Sequence, residues 1–178
     1  MPDHRPALET LITEEDIAGR VIGLAGEIAG SAGKNLLIVV ILKGSFVFAA
    51  DLIRALDRVG VEPQVDFMTL SSYGTGTESS GSVALVRDIS EDVAGRDVLI
   101  VDDILESGRT LAFACDLMRA RDASTVRTCL LLDKAGKRDV PIEADYCGFE
   151  IGDRFVVGYG LDYAHHYRGL PYIAVVQG

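Results

Sequence analysis

Residues 35 to 41, Asn-Leu-Leu-Ile-Val-Val-Ile, run through six consecutive aliphatic positions with no polar residue among them. A strand with one wet face alternates polar and apolar residues, so this run predicts a strand covered on both faces. Val98 to Val101 repeats the signature, and Val65 to Leu70 and Val126 to Leu132 read as further strands. Helical patterns separate them. Thr13, followed three residues later by Asp16, starts a helix in which Ile17, Val21, Leu24 and Ile28 share one face, and Gly30 and Gly33 end it. Phe46, Ala49, Ile53 and Leu56 mark a second helix, and Leu111 to Arg121 a third. Strands alternating with helices predict an α/β fold with a largely parallel central sheet flanked by helices. The C-terminal part reads as short strands and turns ending at Tyr172 to Val176.

The chain has 178 residues, room for one domain, and 48% of them are hydrophobic, enough for a substantial core. Its formal net charge of −10 disfavours nucleic-acid backbones, which are bound by clustered Lys and Arg. The N-terminal MPDHRPALET lacks an apolar signal core, and the run from Leu36 to Leu42 is too short to cross a bilayer. A cytoplasmic protein with no membrane partner is therefore expected. Cys115, Cys129 and Cys147 lie far apart, form no C-x-x-C pair, and read as small buried hydrophobes. Adjacent His165 and His166 lack the spacing of a helical metal pair and, like His4, read as surface residues. Arg127, Lys137 and Arg138 read as solvated charges. Ser71 to Ser82 (SSYGTGTESSGS) holds three glycines and one charged residue, too little to stay packed, and is expected to be a mobile loop before a strand at Val83 to Val86.

The most informative stretch is Val98 to Leu111, VLIVDDILESGRTL. It brings two adjacent carboxylates, Asp102 and Asp103, to the carboxyl end of a buried strand, where open parallel sheets bind ligands. Then Glu106-Ser107-Gly108-Arg109-Thr110 makes a turn of small and hydroxyl residues opening a helix. Amides at a helix N-terminus cradle phosphate. Carboxylates beside a phosphate cradle make sense if they hold sugar hydroxyls or a metal. The stretch is neither a Walker A loop nor a G-x-G-x-x-G fingerprint.

This stretch resembles the phosphoribosyl pyrophosphate motif of the type I phosphoribosyltransferases. The resemblance implies that Asp102 and Asp103 lie by the ribose hydroxyls and metal, and that Ser107, Gly108, Arg109 and Thr110 hold the 5′-phosphate. Four further stretches resemble the hypoxanthine-guanine branch, bacterial type, so the likeness covers nearly the whole chain. Leu42-Lys43-Gly44-Ser45 is similar to its pyrophosphate loop, often built on a non-proline cis bond, which gives Lys43 and Gly44 a role there. Ser72-Tyr73-Gly74 is similar to the start of its mobile lid, which keeps water from the reacting sugar. Leu131-Leu-Asp-Lys134, a strand end, and the run Phe155 to Tyr163 (FVVGYGLDY) are similar to its base-binding segments, and a small C-terminal hood is implied. Lys134 would then contact the purine 6-oxo group, Phe155 would stack on the base, and the Val156 backbone would read its edge. Asp162 would belong to a second Mg²⁺ shell and Arg168 would reach pyrophosphate.

The implied activity transfers the phosphoribosyl group from phosphoribosyl pyrophosphate to hypoxanthine or guanine with Mg²⁺, releasing IMP or GMP and pyrophosphate, in a homodimer or homotetramer. One residue departs from the branch. Glu106 stands where the branch usually has the aspartate proposed to take the purine N7 proton, and it has the same chemistry with one more methylene. Two alternatives remain open. A regulator on the same fold would need a basic face, which this acidic chain lacks. Xanthine, orotate or uracil could replace the acceptor, although FVVGYGLDY and Lys134 argue against the pyrimidines.

Overall fold

The computed structural model describes residues 6–72 and 82–177, with Ser72 described in its backbone only. The predicted lid therefore falls mostly outside the described residues, Tyr73 included. Six strands form the main sheet: β2 (Leu36–Leu42), β3 (Gln64–Ser72), β4 (Val83–Arg87), β5 (Asp97–Leu105), β6 (Thr125–Asp133) and β7 (Tyr146–Glu150). Their order is β4-β3-β2-β5-β6-β7. Every neighbouring pair is parallel except β3 with β4. That is the largely parallel α/β sheet expected from the sequence. Three helices cover it: α1 (Glu14–Ala29), α2 (Phe46–Arg58) and α3 (Arg109–Ala120).

Strand β2 explains the unbroken aliphatic run, because it lies between β3 and β5 and all of Leu36 to Ile41 is buried. Leu36, Ile38 and Val40 pack with the α1 and α2 side of the core, around Leu24, Ile28, Phe48 and Leu52. Leu37, Val39 and Ile41 face the other way, toward Leu111, Ala114 and Met118 of α3. Each such side chain, fully buried, contributes about 1.5–3 kcal/mol against exposure. Helix α1 begins where expected: the Asp16 amide donates to the Thr13 hydroxyl at 3.2 Å, a side-chain N-cap. Cys115 and Cys129 are buried in the core, as small hydrophobes would be.

Two elements run longer than the local pattern suggests. Strand β5 continues through Asp102 and Asp103 to Leu105, because β6 continues beside it as far as Asp133. Helix α3 starts at Arg109 rather than Leu111, with Gly108 as its N-cap. A small antiparallel sheet forms the hood, in the order β1 (Leu8–Ile12), β9 (Ile173–Val176), β8 (Val156–Val157). Strand β1 had no sequence signal of its own, since its partner is at the other end of the chain, Leu8 pairing with Val176. No helix among the described residues is long and apolar enough to cross a membrane.

Candidate active site

The carboxyl ends of β2 and β5 lie side by side in the sheet, and the turns that leave these two strands build the site. After β2 the chain turns through a cis peptide between Leu42 and Lys43 and enters α2 three residues later. Buried Ser45 fixes that turn by donating its hydroxyl to the Ile41 carbonyl. Gly44 lies against β5, where a Cβ would fall on the Asp103 carboxylate, 2.8 Å from its Cγ. Gly160 of the hood, at φ +100°, leans on the same turn, and a Cβ there would run into the Gly44 carbonyl. Gly160 thus meets the turn at a backbone distance that only glycine permits, while Gly44 leaves room for the Asp103 side chain.

Asp102 is 8% exposed, and its Oδ1 accepts from the Asp103 amide at 2.9 Å. Burial, and then the adjacent Asp103 charge, push its pKa well above the ordinary carboxylate range. Burial also raises Asp103, against the hydrogen bond with Asp102 and the positive charge of Arg168. A buried carboxyl beside a partly buried one, both carrying negative charge poorly, is suited to a ligand bringing hydroxyl donors or a cation.

The turn after β5 is arranged as a cradle. Gly108, at φ +84°, occupies a conformation that a side chain would strain, and a Cβ would stand 2.7 Å from Ile142 Cγ2. The Ser107 carbonyl accepts from the Asp139 and Val140 amides at 2.8 and 3.1 Å, which anchors the turn from below. The first turn of α3 holds no acidic residue, so the helix's own side chains do not oppose an anion at its N-terminus. Arg109 turns its guanidinium aside to Asp139, with Nε 3.0 Å from Oδ2. A cleft of about 550 Å³ opens over these parts, lined by Lys43, Gly44, Asp102, Asp103, Glu106, Ser107, Gly108 and Thr110. A second hollow, of about 450 Å³ between α1, α2 and the hood, touches neither aspartate of the pair.

On the far side of the turn, buried Lys134 holds its Nζ 3.7 Å from Oε1 of half-exposed Glu106. Phe155 is 53% exposed and meets Tyr163 edge-on, with ring centroids 5.6 Å apart. The next residue, Val156, is buried in β8. Asp162 is engaged by Arg168, Nη2 to Oδ1 at 2.8 Å, and by the His165 amide at 2.8 Å. Arg168 also donates to the Gly160 carbonyl at 2.7 Å.

Two arginines expected to be solvated are not. Arg127 is bound by Asp97 at 2.6 Å and by Ser31 and Tyr146, at the opposite end of the strands. Arg138 is 18% exposed in its side chain and lies beneath the turn, donating to carbonyls of three segments and to Asp133. Lys137, by contrast, remains 43% exposed while pairing with Asp153 at 2.7 Å. Periodicity gave no sign of Arg138 because its segment is irregular; the only hint was an arginine four residues past a predicted ligand lysine.

Residues 9–164 match the family described as the phosphoribosyl transferase domain. The hypoxanthine phosphoribosyltransferase of Escherichia coli K12 is 43% identical over 172 residues, 95% of each chain. The bifunctional protein TilS/HprT of Listeria innocua is 45% identical over 175 residues, and this chain spans 98% of its own length but 26% of that protein. A crystal structure of a hypoxanthine-guanine phosphoribosyltransferase from Bacillus anthracis superposes with a TM-score of 0.90 at 42% identity, covering 97% of this chain and 100% of that one. With a matching profile over most of its length and relatives this close at both sequence and fold, the chain belongs to the phosphoribosyltransferase family.

Proposed function

We propose that this protein transfers the phosphoribosyl group from phosphoribosyl pyrophosphate to a 6-oxopurine, hypoxanthine or guanine, in purine salvage. The observation that carries this reading is the pairing of Lys134 Nζ with Glu106 Oε1 at 3.7 Å, beside a cleft lined by the acidic pair and the phosphate turn. The 6-oxo oxygen and N7 of a purine are neighbours on one edge of the ring. A donor and a carboxylate a few ångströms apart can meet both together.

In this mechanism the 5′-phosphate sits on the Ser107–Thr110 turn, and Asp102 and Asp103 accept from the ribose hydroxyls. The bond from ribose C1 to pyrophosphate breaks, the leaving oxygen takes the electron pair, and C1 gains oxocarbenium character that the two carboxylates stabilise. Purine N9 bonds to C1, and Glu106 takes the proton from N7. Lys134 donates to the 6-oxo oxygen and so draws electron density away from the ring. Lys43 and the Gly44 turn receive pyrophosphate, assisted by Arg168. Phe155 stacks on the base, and the Val156 backbone reads its edge. Ser72 and Tyr73 are assigned to the lid by resemblance alone.

The residues present fit Mg²⁺, which takes one or two carboxylates and completes its shell with water and substrate phosphates. Asp102 and Asp103 supply such oxygens on the cleft wall. When bound, the ion would neutralise charge developing on pyrophosphate. Asp162 is already engaged by Arg168 and the His165 amide, so a role for it at a second Mg²⁺ rests on resemblance. Assembly as a homodimer or homotetramer has the same basis.

The test is product formation from phosphoribosyl pyrophosphate and Mg²⁺ with hypoxanthine, guanine, xanthine, adenine and uracil in parallel. Turnover of hypoxanthine or guanine with adenine and uracil silent is expected. Tight phosphoribosyl pyrophosphate binding without product from any base would overturn the reading. For the base assignment, Glu106→Gln should lower kcat by ~10²–10⁴-fold. Near-full turnover in that variant would remove Glu106 from the mechanism.

A further inference from the structure

The Arg138 guanidinium is placed to do more than fill space. Its Nη1 donates to three carbonyls: Glu106 at 2.8 Å, Leu105 at 3.1 Å and Lys134 at 3.3 Å. Its Nε donates to the Ile142 carbonyl at 3.1 Å, and its Nη2 pairs with the Asp133 carboxylate. Two hydrogens on Nη1 thus serve three acceptors, so one of them is shared. The carbonyl of Glu106 and the carbonyl of Lys134 are bound to the same nitrogen atom.

Those two residues come from different strands. Glu106 follows β5 and Lys134 follows β6, and the ladder between the strands ends with Leu105 opposite Asp133. Beyond that pair, the Lys134 amide still donates to the Leu105 carbonyl at 2.9 Å. Past this last rung the two chains diverge, one into the phosphate turn and the other into the 3-10 turn Ala135–Lys137. Arg138 takes over where the ladder stops and fastens the two backbones from below.

We propose that Arg138 is a positioning residue that sets the spacing between Glu106 and Lys134 by binding both carbonyls through one guanidinium nitrogen. The proposal rests on the reading of Glu106 as general base and Lys134 as the 6-oxo donor. Those two groups must meet adjacent atoms of one rigid ring, so an error in their relative position cannot be absorbed by shifting the base. Arginine is required for geometric reasons. Its planar fork presents five N–H donors in fixed directions, whereas a lysine ammonium is a point donor on a flexible stem. The phosphate turn has separate anchors, since the Ser107 carbonyl is bound by the Asp139 and Val140 amides. Arg138 is therefore one anchor of that turn among several, and its loss should weigh more on the base side of the site than on the phosphate side.

Arg138→Lys keeps the charge and removes the fork. A misplacement near 1 Å costs on the order of 10²-fold, so kcat/KM for hypoxanthine should fall by about that factor. The dissociation constant of phosphoribosyl pyrophosphate, measured by titration without base, should stay within about threefold. The deciding readout is a double-mutant cycle with Glu106→Gln: once the base is gone, Arg138→Lys should cost less than about threefold in kcat.

Equal factors in both backgrounds, or parallel losses in phosphoribosyl pyrophosphate binding and base turnover, would show a general structural role and overturn the proposal. A fully active Glu106→Gln would sink the base assignment and this role with it. An impaired Glu106→Gln with multiplicative effects would sink the positioning role alone. If Arg138→Lys fails to give a cooperative melt, Asp133→Asn carries the same cycle. It leaves an acceptor oxygen on Nη2 but removes the countercharge, with a loss of about 10-fold expected and the same non-additivity.

Discussion

Gly44→Ala separates the substrate site from the fold. The added Cβ would overlap the Asp103 Oδ2 position and lie 2.8 Å from Cγ, where ordinary carbon contacts are about 3.5–4 Å. The glycine is not in the left-handed region, so the backbone itself bears no conformational penalty. What must give is the Asp103 carboxylate, which has to swing away by more than an ångström. Burial raises the pKa of that carboxyl in the native site, and movement toward the open cleft relieves some of the cost. Stability should therefore change by less than about 1 kcal/mol, well short of a core disruption. Function should not be spared. A 1 Å displacement of a positioned group costs on the order of 10²-fold, so kcat/KM for phosphoribosyl pyrophosphate should drop by at least that factor. Thermal melting and steady-state kinetics with phosphoribosyl pyrophosphate varied measure the two quantities. A variant that melts like the parent and keeps its phosphoribosyl pyrophosphate kinetics within about threefold would refute both the contact and the role given to Asp103.

Replacing Lys134 by Met removes the donor while keeping the stem; leaving the 6-oxo oxygen unpaired costs about 1–3 kcal/mol, so kcat/KM for hypoxanthine should fall roughly 5- to 150-fold and the preference over adenine should narrow. An unchanged hypoxanthine-to-adenine ratio, measured by competition, would remove Lys134 from base selection. Asp97 lies at the far end of the strands: burial raises its pKa, but hydrogen bonds from Thr125, Arg127 and the Gly33 amide outweigh that and hold it below the ordinary range. A lowered native pKa gives stability that is present above the unfolded value near 4 and lost as pH falls through the native one. Asp97→Asn should therefore cost on the order of 1.5–3 kcal/mol at neutral pH and flatten the loss of stability below about pH 4, read from denaturant midpoints across pH. A parallel downward shift at every pH would contradict the assignment.

How far the sequence could be read depended on the range of the interaction. The Thr13 cap and the covered strand at Leu36 to Leu42 are local, and both could be read from neighbouring residues. The turn after β5 was legible for the same reason, since its carboxylates, its glycine and its helix start lie within one short stretch. Strand β1 was not, because LETLI carries no alternation and acquires its strand character only by pairing with β9. The guanidinium of Arg127 reaches Asp97, thirty positions earlier in the chain, and that of Arg138 reaches Leu105 and Glu106. An arginine alone in an irregular segment looks the same from its neighbours whether it meets water or five protein acceptors.

The same distinction explains why a site made largely of turns can be rigid. Precision normally comes from helices and strands, whereas loops move. Here the turn after β2 meets Asp103 and the hood at points where a methyl group has no room, so Gly44 and Gly160 leave little freedom for relative sliding. Tyr159 adds a hydrogen bond of 2.6 Å from its hydroxyl to Asp51 on α2, the helix that begins at that turn. Arg168 returns from the hood to bind both the Gly160 carbonyl and Asp162. The turn after β5 is fastened from beneath by Arg138 and by the amides of Asp139 and Val140. Each loop is thus cross-linked to an element that does not bear it, and the rigidity of the sheet and helices is passed to side chains that lie outside them.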